Sequence, residues 1–206
     1  MHLTTLFRSA LPLAVVALSP VWAQTPAPAQ PLTFEEQTDL YWRKLFSVNT
    51  LAASTFPAAF QMLTPPDRID RNWRQGAAAF GRNVGYYAGA EVTMQTSRYL
   101  MSAALHEDPR YKRVGSGNPG ARFVHAMVYT AFTRTPSGSL RPFLPVLGSA
   151  AAGGFVTRAY AAPGFDDNVH AGQRSLVMLG NVGISNVVEE FAPELKRLRN
   201  KILRRR

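Results

Sequence analysis

The 206-residue sequence predicts an all-α fold, a compact multi-helix domain whose helices pack through contacts rich in glycine and alanine. Apolar residues recur at intervals of three, four and seven along much of the chain, as they do on one face of a helix. Strict two-residue alternation, which marks half-buried strands, is scarce. Small residues also recur every four positions, which places them on one helix face. These observations together favour helices packed against helices.

The first 23 residues have the pattern of a secretory signal peptide. Arg8 supplies the positive start, residues 10–18 form an apolar run, and residues 21–23 suit a cleavage site. The run is shorter than the roughly 20 residues that a bilayer span requires. Residues 24–32, rich in proline and alanine, predict an extended linker. We therefore expect an exported protein, periplasmic or associated with the cell envelope.

Residues 33–194 are predicted to form one helical domain, which begins with two helices. Thr33 and Glu36 have the spacing of a capping box, at which a helix begins. Pro57 and the Pro65–Pro66 pair then bound a short second helix. The chain has no cysteine, so packing alone must hold this domain together in an oxidising compartment.

A long helix is predicted from Arg68 towards His106, with a break near Gly76. It carries a row of small residues, here called the glycine row, at four-residue spacing: Ala77, Gly81, Gly85, Gly89, Thr93 and Ser97. Each glycine in a helix costs roughly 0.8–1 kcal/mol relative to alanine. We therefore expect a partner helix to pack closely on this row. Charged residues interrupt the segment, so it is not expected to span a membrane.

Three more helices complete the predicted domain. The first covers residues 119–135 and ends in a turn at residues 135–139. The second covers residues 146–160 and is again rich in glycine and alanine, and the third covers residues 167–190. Pro193 suits the first turn of a terminal helix.

Residues 195–206 predict a basic amphipathic tail. Leu195, Leu198 and Ile202 fall on one helix face, and the other faces carry seven cations: Lys196, Arg197, Arg199, Lys201, Arg204, Arg205 and Arg206. Each cation near an anionic membrane can contribute about 1 kcal/mol of binding. The tail is expected to contact an anionic membrane surface or an envelope protein, or else to remain solvated. Nucleic acid is not an expected partner, because an exported protein rarely meets any.

The consecutive residues His106, Glu107 and Asp108 look like a reactive cluster. Successive side chains on a helix point about 100° apart, so these three cannot converge on one ion or substrate. Pro109 also moves Asp108 out of helical geometry. This stretch predicts the end of a helix.

A metal-assisted hydrolase is the enzymatic alternative, built on His170, Asp166 and the 106–108 cluster. Asp166 and His170 have a usable ligand spacing, but no HExxH motif or cysteine pair accompanies them. The GSGNPG stretch at 115–120 matches GxGxxG without the strand that a dinucleotide site needs, so it predicts a turn. We therefore assign no catalytic residue, metal ligand or cofactor.

Three arginines lie among apolar or small residues: Arg82, Arg158 and Arg174. They are expected to pair with acidic residues such as Glu91, Glu189 or Glu190. The alternative is that they hold a small anionic ligand between helices.

Three segments resemble one uncharacterised family of exported bacterial proteins, found mainly in acidobacterial-type sequences: EDPRY (107–111), GISN (183–186) and VVEEFAPELKR (187–197). The chain has TPSG at 135–138 where that family has TDSG, and FAPE where it tends to have FWPD. The resemblance implies export and a helical domain, and it implies no activity. The missing catalytic motifs and the concentration of positive charge in the tail favour a non-enzymatic envelope protein that binds a partner or a membrane surface.

Overall fold

A computed structural model describes residues 32–135 and 137–204. The predicted signal peptide, residues 1–23, lies outside the described residues, as does the predicted linker up to residue 31. Arg205 and Arg206 of the predicted tail lie outside them as well.

The described chain forms two compact units. The larger unit contains residues 32–110 and 131–182, and the smaller unit contains residues 111–130 and 183–204. Each unit is therefore assembled from two separate stretches of chain. The sequence predicts one domain over residues 33–194, and no local pattern in it indicates this division.

The predicted all-α fold is confirmed, because helices dominate the described residues and only one short hairpin accompanies them. In chain order the elements are α1 (Phe34–Leu45), α2 (Val48–Leu63), α3 (Arg71–Arg74), α4 (Gly76–Leu105), α5 (Pro119–Ala131), β1 (Phe132–Arg134), β2 (Leu140–Pro142), α6 (Leu144–Val156), a 3-10 turn (Thr157–Tyr160), α7 (Asn168–Glu190) and α8 (Ala192–Leu203). Within the described part of the chain, no helix has both the length and the apolar character needed to cross a bilayer.

Helix α4 is the centre of the larger unit. Helices α1, α2, α3 and α6 and the 3-10 turn all pack against it. The predicted break is confirmed at Gly76, whose φ of +87° favours glycine. The predicted helix end is also confirmed, since His106 takes a left-handed conformation directly after Leu105. Beyond it, Glu107 is buried and forms an ion pair with Arg141 at 2.9 Å.

Two predicted boundaries are wrong. Helix α2 begins at Val48, where Ser47 caps it, and continues through Pro57. One missing backbone N–H inside a 16-residue helix therefore does not end it. The helix predicted for residues 119–135 ends at Ala131, because residues 132–134 pair antiparallel with residues 140–142.

The glycine row does not serve as the predicted packing surface. Ala77, Gly81 and Gly85 are exposed, and a Cβ placed on Gly81 or Gly85 would meet no described atom within 4 Å. Only Gly89 has a close neighbour, the hydroxyl of Tyr160 at 2.6 Å from such a Cβ. The opposite face of α4, which carries Ala90 and Met94, is the buried one.

Close helix contact instead occurs at α6. A Cβ on Gly154 would lie 2.6 Å from the carbonyl oxygen of Ala171 and 2.7 Å from the backbone nitrogen of Ser175. Both of these atoms belong to the backbone of α7 and cannot move aside as a flexible side chain could. Glycine at 154 therefore sets the distance between α6 and α7.

Substituting alanine at two glycines should have opposite effects on stability. Gly154→Ala should lower the free energy of unfolding by about 1–3 kcal/mol, because the new methyl group overpacks the α6–α7 contact. Gly81→Ala should raise it by about 0.8–1 kcal/mol, because alanine is the better helix former and meets open space. Urea unfolding followed by the fluorescence of Trp42 and Trp73, both in the larger unit, measures the two changes. A loss of stability in Gly81→Ala would show that the glycine row has a packing partner.

Candidate functional site

The larger unit contains a partly open cavity of about 510 Å³. Its walls come from α2, the segment between α2 and α4, α4 itself, the 3-10 turn and the first half of α7. The volume falls within the range of roughly 300–1,000 Å³ that is usual for small-molecule sites. Most lining side chains are apolar or aromatic, and the titratable ones other than tyrosine are Glu91, His170 and Arg174.

Aromatic side chains form one wall of the cavity. Trp73 and Tyr87 each contact the ring of Tyr86 edge-on, with ring centroids 6.2 and 5.1 Å away. The hydroxyl of Tyr87 donates to Oε1 of Gln61 at 2.7 Å. Burial raises the pKa of Tyr87 to about 12, and the neighbouring Tyr86 adds to the effect. The wall is therefore uncharged at neutral pH, with hydroxyl dipoles held at its edge.

Arg174 is the principal charged group of the cavity. Its Nη1 donates to Oγ1 of Thr157 at 2.8 Å, and its Nη2 donates to the carbonyl oxygen of Phe165. The guanidinium also lies over the ring of Tyr86, 5.6 Å from the centroid. Among the described residues, no carboxylate lies within 4.0 Å of it. Neutral partners thus hold the guanidinium in place, and its charge is left uncompensated.

His170 lies one helical turn before Arg174 on the same face of α7. Its ring Nδ1 is 2.6 Å from Oδ2 of Asp167, and its backbone nitrogen donates to Oδ1 of the same carboxylate at 2.9 Å. The backbone hydrogen bond from His170 is the main cause that holds the pKa of Asp167 below its ordinary value. Asp167 therefore caps the start of α7 and fixes the imidazole ring at the cavity.

Glu91 faces the same cavity from α4. Its Oε1 accepts a hydrogen bond from Nε2 of Gln95 at 2.7 Å. One carboxylate thus lines the cavity together with the guanidinium of Arg174, which would disfavour a ligand with several negative charges.

The structure separates the three arginines predicted from sequence. Arg82 is exposed and donates to the carbonyl oxygen of Asn72 at 2.8 Å. Arg158 is exposed and donates to the carbonyl oxygen of Asp166 at 2.9 Å. Only Arg174 lines the cavity. None of the three forms the predicted ion pair with Glu91, Glu189 or Glu190 in the part of the chain that the structure describes.

The side chains suggested as metal ligands of a hydrolase do not lie together in the structure. Asp167, rather than Asp166, contacts His170. Glu107 pairs with Arg141, Asp108 pairs with Arg110, and His106 ends helix α4. Across residues 32–135 and 137–204, no group of three or more His, Asp or Glu side chains is placed to hold a metal ion.

The smaller unit is organised around the carboxylate of Glu190, which is fully buried. Its Oε1 accepts from Nε of Arg122 at 2.7 Å and from the backbone nitrogen of Gly115 at 2.9 Å. Its Oε2 accepts from the hydroxyl of Tyr111 and the backbone nitrogen of Val114, both at 3.0 Å. The backbone at the start of the turn predicted for residues 115–120 therefore donates hydrogen bonds to this carboxylate.

Arg122 completes this cluster. It also binds Oε1 of Glu194 at 2.6 Å, and its guanidinium lies over the ring of Phe191, 4.5 Å from the centroid. Burial opposes the ionisation of Glu190 most strongly, but the hydrogen bonds from Arg122, Gly115, Tyr111 and Val114 together outweigh it. The pKa of Glu190 is therefore lowered.

Glu190→Gln should destabilise the smaller unit by about 3–5 kcal/mol at neutral pH, because it leaves the guanidinium of Arg122 buried without its main partner. Since the folded-state pKa of Glu190 is lowered, its contribution is present above the unfolded value of about 4.5 and is lost as pH falls through the folded value. Hydrogen exchange of the backbone amides of Val114 and Gly115 measures the effect. Wild-type protection should fall as the pH is lowered below the unfolded value, and protection in Glu190→Gln should change less. Equal slopes in the two proteins would contradict this account.

The basic tail forms helix α8, whose residues are exposed except for the half-buried Pro193. Leu195, Leu198 and Ile202 lie on one face, each about half exposed. The described cations Lys196, Arg197, Arg199, Lys201 and Arg204 are also exposed.

Sequence reasoning missed Arg98 and Arg122, which are the buried arginines of the described chain. The partners of Arg122 lie about 70 residues away, so no local pattern announces them. A local signal did exist for Arg98, because Ala90, Met94, Arg98 and Ser102 are four apart and form the buried row of α4.

Compared with protein-family models, with curated proteins and with solved structures, the chain has no significant match. The fold and the cavity themselves therefore define the class: an all-α protein with an aromatic cavity that contains an uncompensated guanidinium.

Proposed function

We propose that this chain is an exported, non-enzymatic binding protein whose cavity takes a small apolar molecule with one anionic group. The observation that carries the proposal is Arg174, held at an aromatic cavity with no carboxylate partner among the described residues. The aromatic wall suits an apolar body, and the guanidinium suits a carboxylate or sulfonate. The export part of the proposal is supported by the leader pattern in residues 1–23.

The remaining donors of Arg174 favour an anion over a neutral guest. A guanidinium has five N–H donors, and Thr157 and Phe165 accept from two of its nitrogens. Both acceptors are neutral, so they complete hydrogen bonds of the guanidinium without balancing its positive charge. A hydrogen bond to a charged partner contributes about 1.5–3 kcal/mol, roughly twice a neutral one. Glu91 in the same cavity favours a monoanion.

Replacing Arg174 should weaken the binding of an anionic probe more than the binding of a neutral probe with the same ring system. 2-Naphthoate and its methyl ester are matched probes, since they share the ring system and differ in charge. In Arg174→Met, the affinity for 2-naphthoate should fall about tenfold or more, because the charge-assisted hydrogen bond is lost. The affinity for the ester should change less than threefold. Isothermal titration calorimetry measures both.

Arg158→Met is the matched control, because Arg158 is an exposed arginine that does not line the cavity and donates to the carbonyl oxygen of Asp166 and to Oδ1 of Asn168. It should bind both probes like the wild-type chain. Equal losses for acid and ester in Arg174→Met would contradict an anion-binding role, and failure of the wild-type chain to bind either probe would remove the proposed function.

A second candidate function is attachment to an anionic membrane surface through helix α8. The observation that favours it is the exposed apolar row of Leu195, Leu198 and Ile202 beside exposed cations. A helix with this arrangement can lie in the interface, with its apolar row among the acyl chains and its cations on lipid headgroups. This surface attachment is compatible with ligand binding in the larger unit.

Neutralising the cations of the tail should remove most of the binding to an anionic membrane surface. A full-length variant with Lys196, Arg197, Arg199 and Lys201 changed to glutamine should lose most co-sedimentation with vesicles containing phosphatidylglycerol, because each cation contributes about 1 kcal/mol. Wild-type binding should weaken as salt rises. A variant with the exposed residues Arg68, Arg71, Arg82 and Arg158 changed to glutamine removes the same four charges outside the tail and is the control for total charge. Equal binding by both variants would exclude the tail as the attachment site.

A further inference from the structure

Helix α2 turns its large apolar side chains outward from the larger unit. Val48, Phe56 and Leu63 are 80%, 74% and 81% exposed. They are eight and seven residues apart, which is close to two helical turns, so they lie on one face. Ala52 and Ala59 lie between them on that face and are exposed as well. These five residues form the outer face of α2.

The opposite face of α2 packs on the larger unit through small or polar side chains. Ser54 and Ala58 are its buried residues, and Oε1 of Gln61 accepts a hydrogen bond from the hydroxyl of Tyr87 at 2.7 Å. A surface helix in water normally has the reverse arrangement, with its apolar stripe towards the core. A contiguous exposed apolar face marks a contact surface for another protein or for a membrane.

The hydrogen bonds of α2 favour a membrane over a protein partner. All five serine and threonine hydroxyls of residues 45–66 bond within the chain: Ser47 to Thr50, Thr50 to the carbonyl oxygen of Lys44, Ser54 to that of Thr50, Thr55 to that of Leu51 and Thr64 to that of Phe60. A protein interface usually contains about one hydrogen bond per 100–200 Å². Acyl chains offer none and require polar groups to be satisfied internally. These hydroxyls meet that requirement.

The residues next to α2 suit the edge of a bilayer. Residues 45–66 contain no Asp, Glu, Lys or Arg. Lys44 lies just before them, and the exposed rings of Trp42 and Phe46 stack there at a centroid distance of 5.8 Å. Tryptophan is enriched at the membrane–water interface, and a lysine can extend its amine to lipid phosphates while its stem stays on apolar surface. The exposed amide of Asn49 follows in the first turn of α2, so this end of the helix can reach the headgroups.

We propose that α2 is a docking site for a lipid bilayer, along whose interface the helix lies with its outer face among the upper acyl chains and its first turn at the headgroups. This face belongs to the larger unit and relies on apolar contact, whereas the attachment considered for α8 relies on positive charge. Neither Phe56 nor Leu63 lines the aromatic cavity, so the docking is independent of the proposed ligand binding.

Vesicles of phosphatidylcholine test the outer face apart from the basic tail, because they carry no net charge to attract the tail. The wild-type chain should co-sediment with them, and added salt should change this binding little. A variant with Phe56→Ser and Leu63→Ser should bind at least about tenfold more weakly, because two large apolar side chains no longer leave water on docking. Failure of the wild-type chain to bind these vesicles would overturn the proposal.

A matched variant with Phe155→Ser and Leu176→Ser removes one phenylalanine and one leucine that are exposed elsewhere, in α6 and α7. It should bind the vesicles like the wild-type chain. Both variants should keep the wild-type melting temperature, measured by circular dichroism, because the changed side chains are exposed. Equal losses of binding in the two variants would contradict a site at α2.

A tryptophan placed on the outer face reports its depth. Phe56→Trp should add fluorescence that phosphatidylcholine brominated in its acyl chains quenches, beyond any quenching of the wild-type chain. The absence of added quenching would overturn the proposal. Sedimentation velocity without lipid tests the other occupant, a second copy of the chain. A dimer that persists in the matched variant and is lost in the variant of Phe56 and Leu63 would assign the face to self-association and equally overturn the proposal.

Discussion

A buried guanidinium is costly unless an anion balances it, and this constraint distinguishes the arginines of this molecule from one another. Charged groups lose several kcal/mol of hydration on burial, and only a close opposite charge with good hydrogen bonds offsets the loss. The smaller unit meets the constraint from within, since Glu190 and Glu194 both bind Arg122. In the larger unit, neither the buried Arg98 nor the half-buried Arg174 has a described carboxylate within 4.0 Å. Of these two, Arg174 is the one that lines the aromatic cavity.

Arg98 and Arg174 differ in the space around them. Arg98 borders a space of about 20 Å³, enough for about one water molecule, so an organic ligand does not fit beside it. Arg174 lies at a cavity about 25 times larger, with aromatic walls that an apolar body can cover. Of the two, only Arg174 therefore suits the proposed recognition of an anionic ligand.

The sequence alone predicts the helices and some of their ends, because caps, glycines and periodic apolar residues are local signals. Thr33 and Glu36 form the expected capping box, and Gly76 marks the break before α4. The packing face of α4 is predicted wrongly, because the row with Gly81 and the row with Met94 have the same four-residue spacing. Small side chains favour the first row as the contact surface, whereas the buried row is the one that contains Arg98. The partners of Arg122 and the walls around Arg174 are distant in sequence, so only the fold brings them together.

The central claim is that Arg174 receives the anionic group of an apolar ligand. A crystal structure of the chain grown with 6-bromo-2-naphthoate tests it most directly, because bromine locates the ring and the density locates the carboxylate. The account predicts the ring against Tyr86 and Trp73, with a carboxylate oxygen about 2.7–2.9 Å from a guanidinium nitrogen of Arg174. Bromine found only on an exposed apolar surface, such as the outer face of α2, would contradict it.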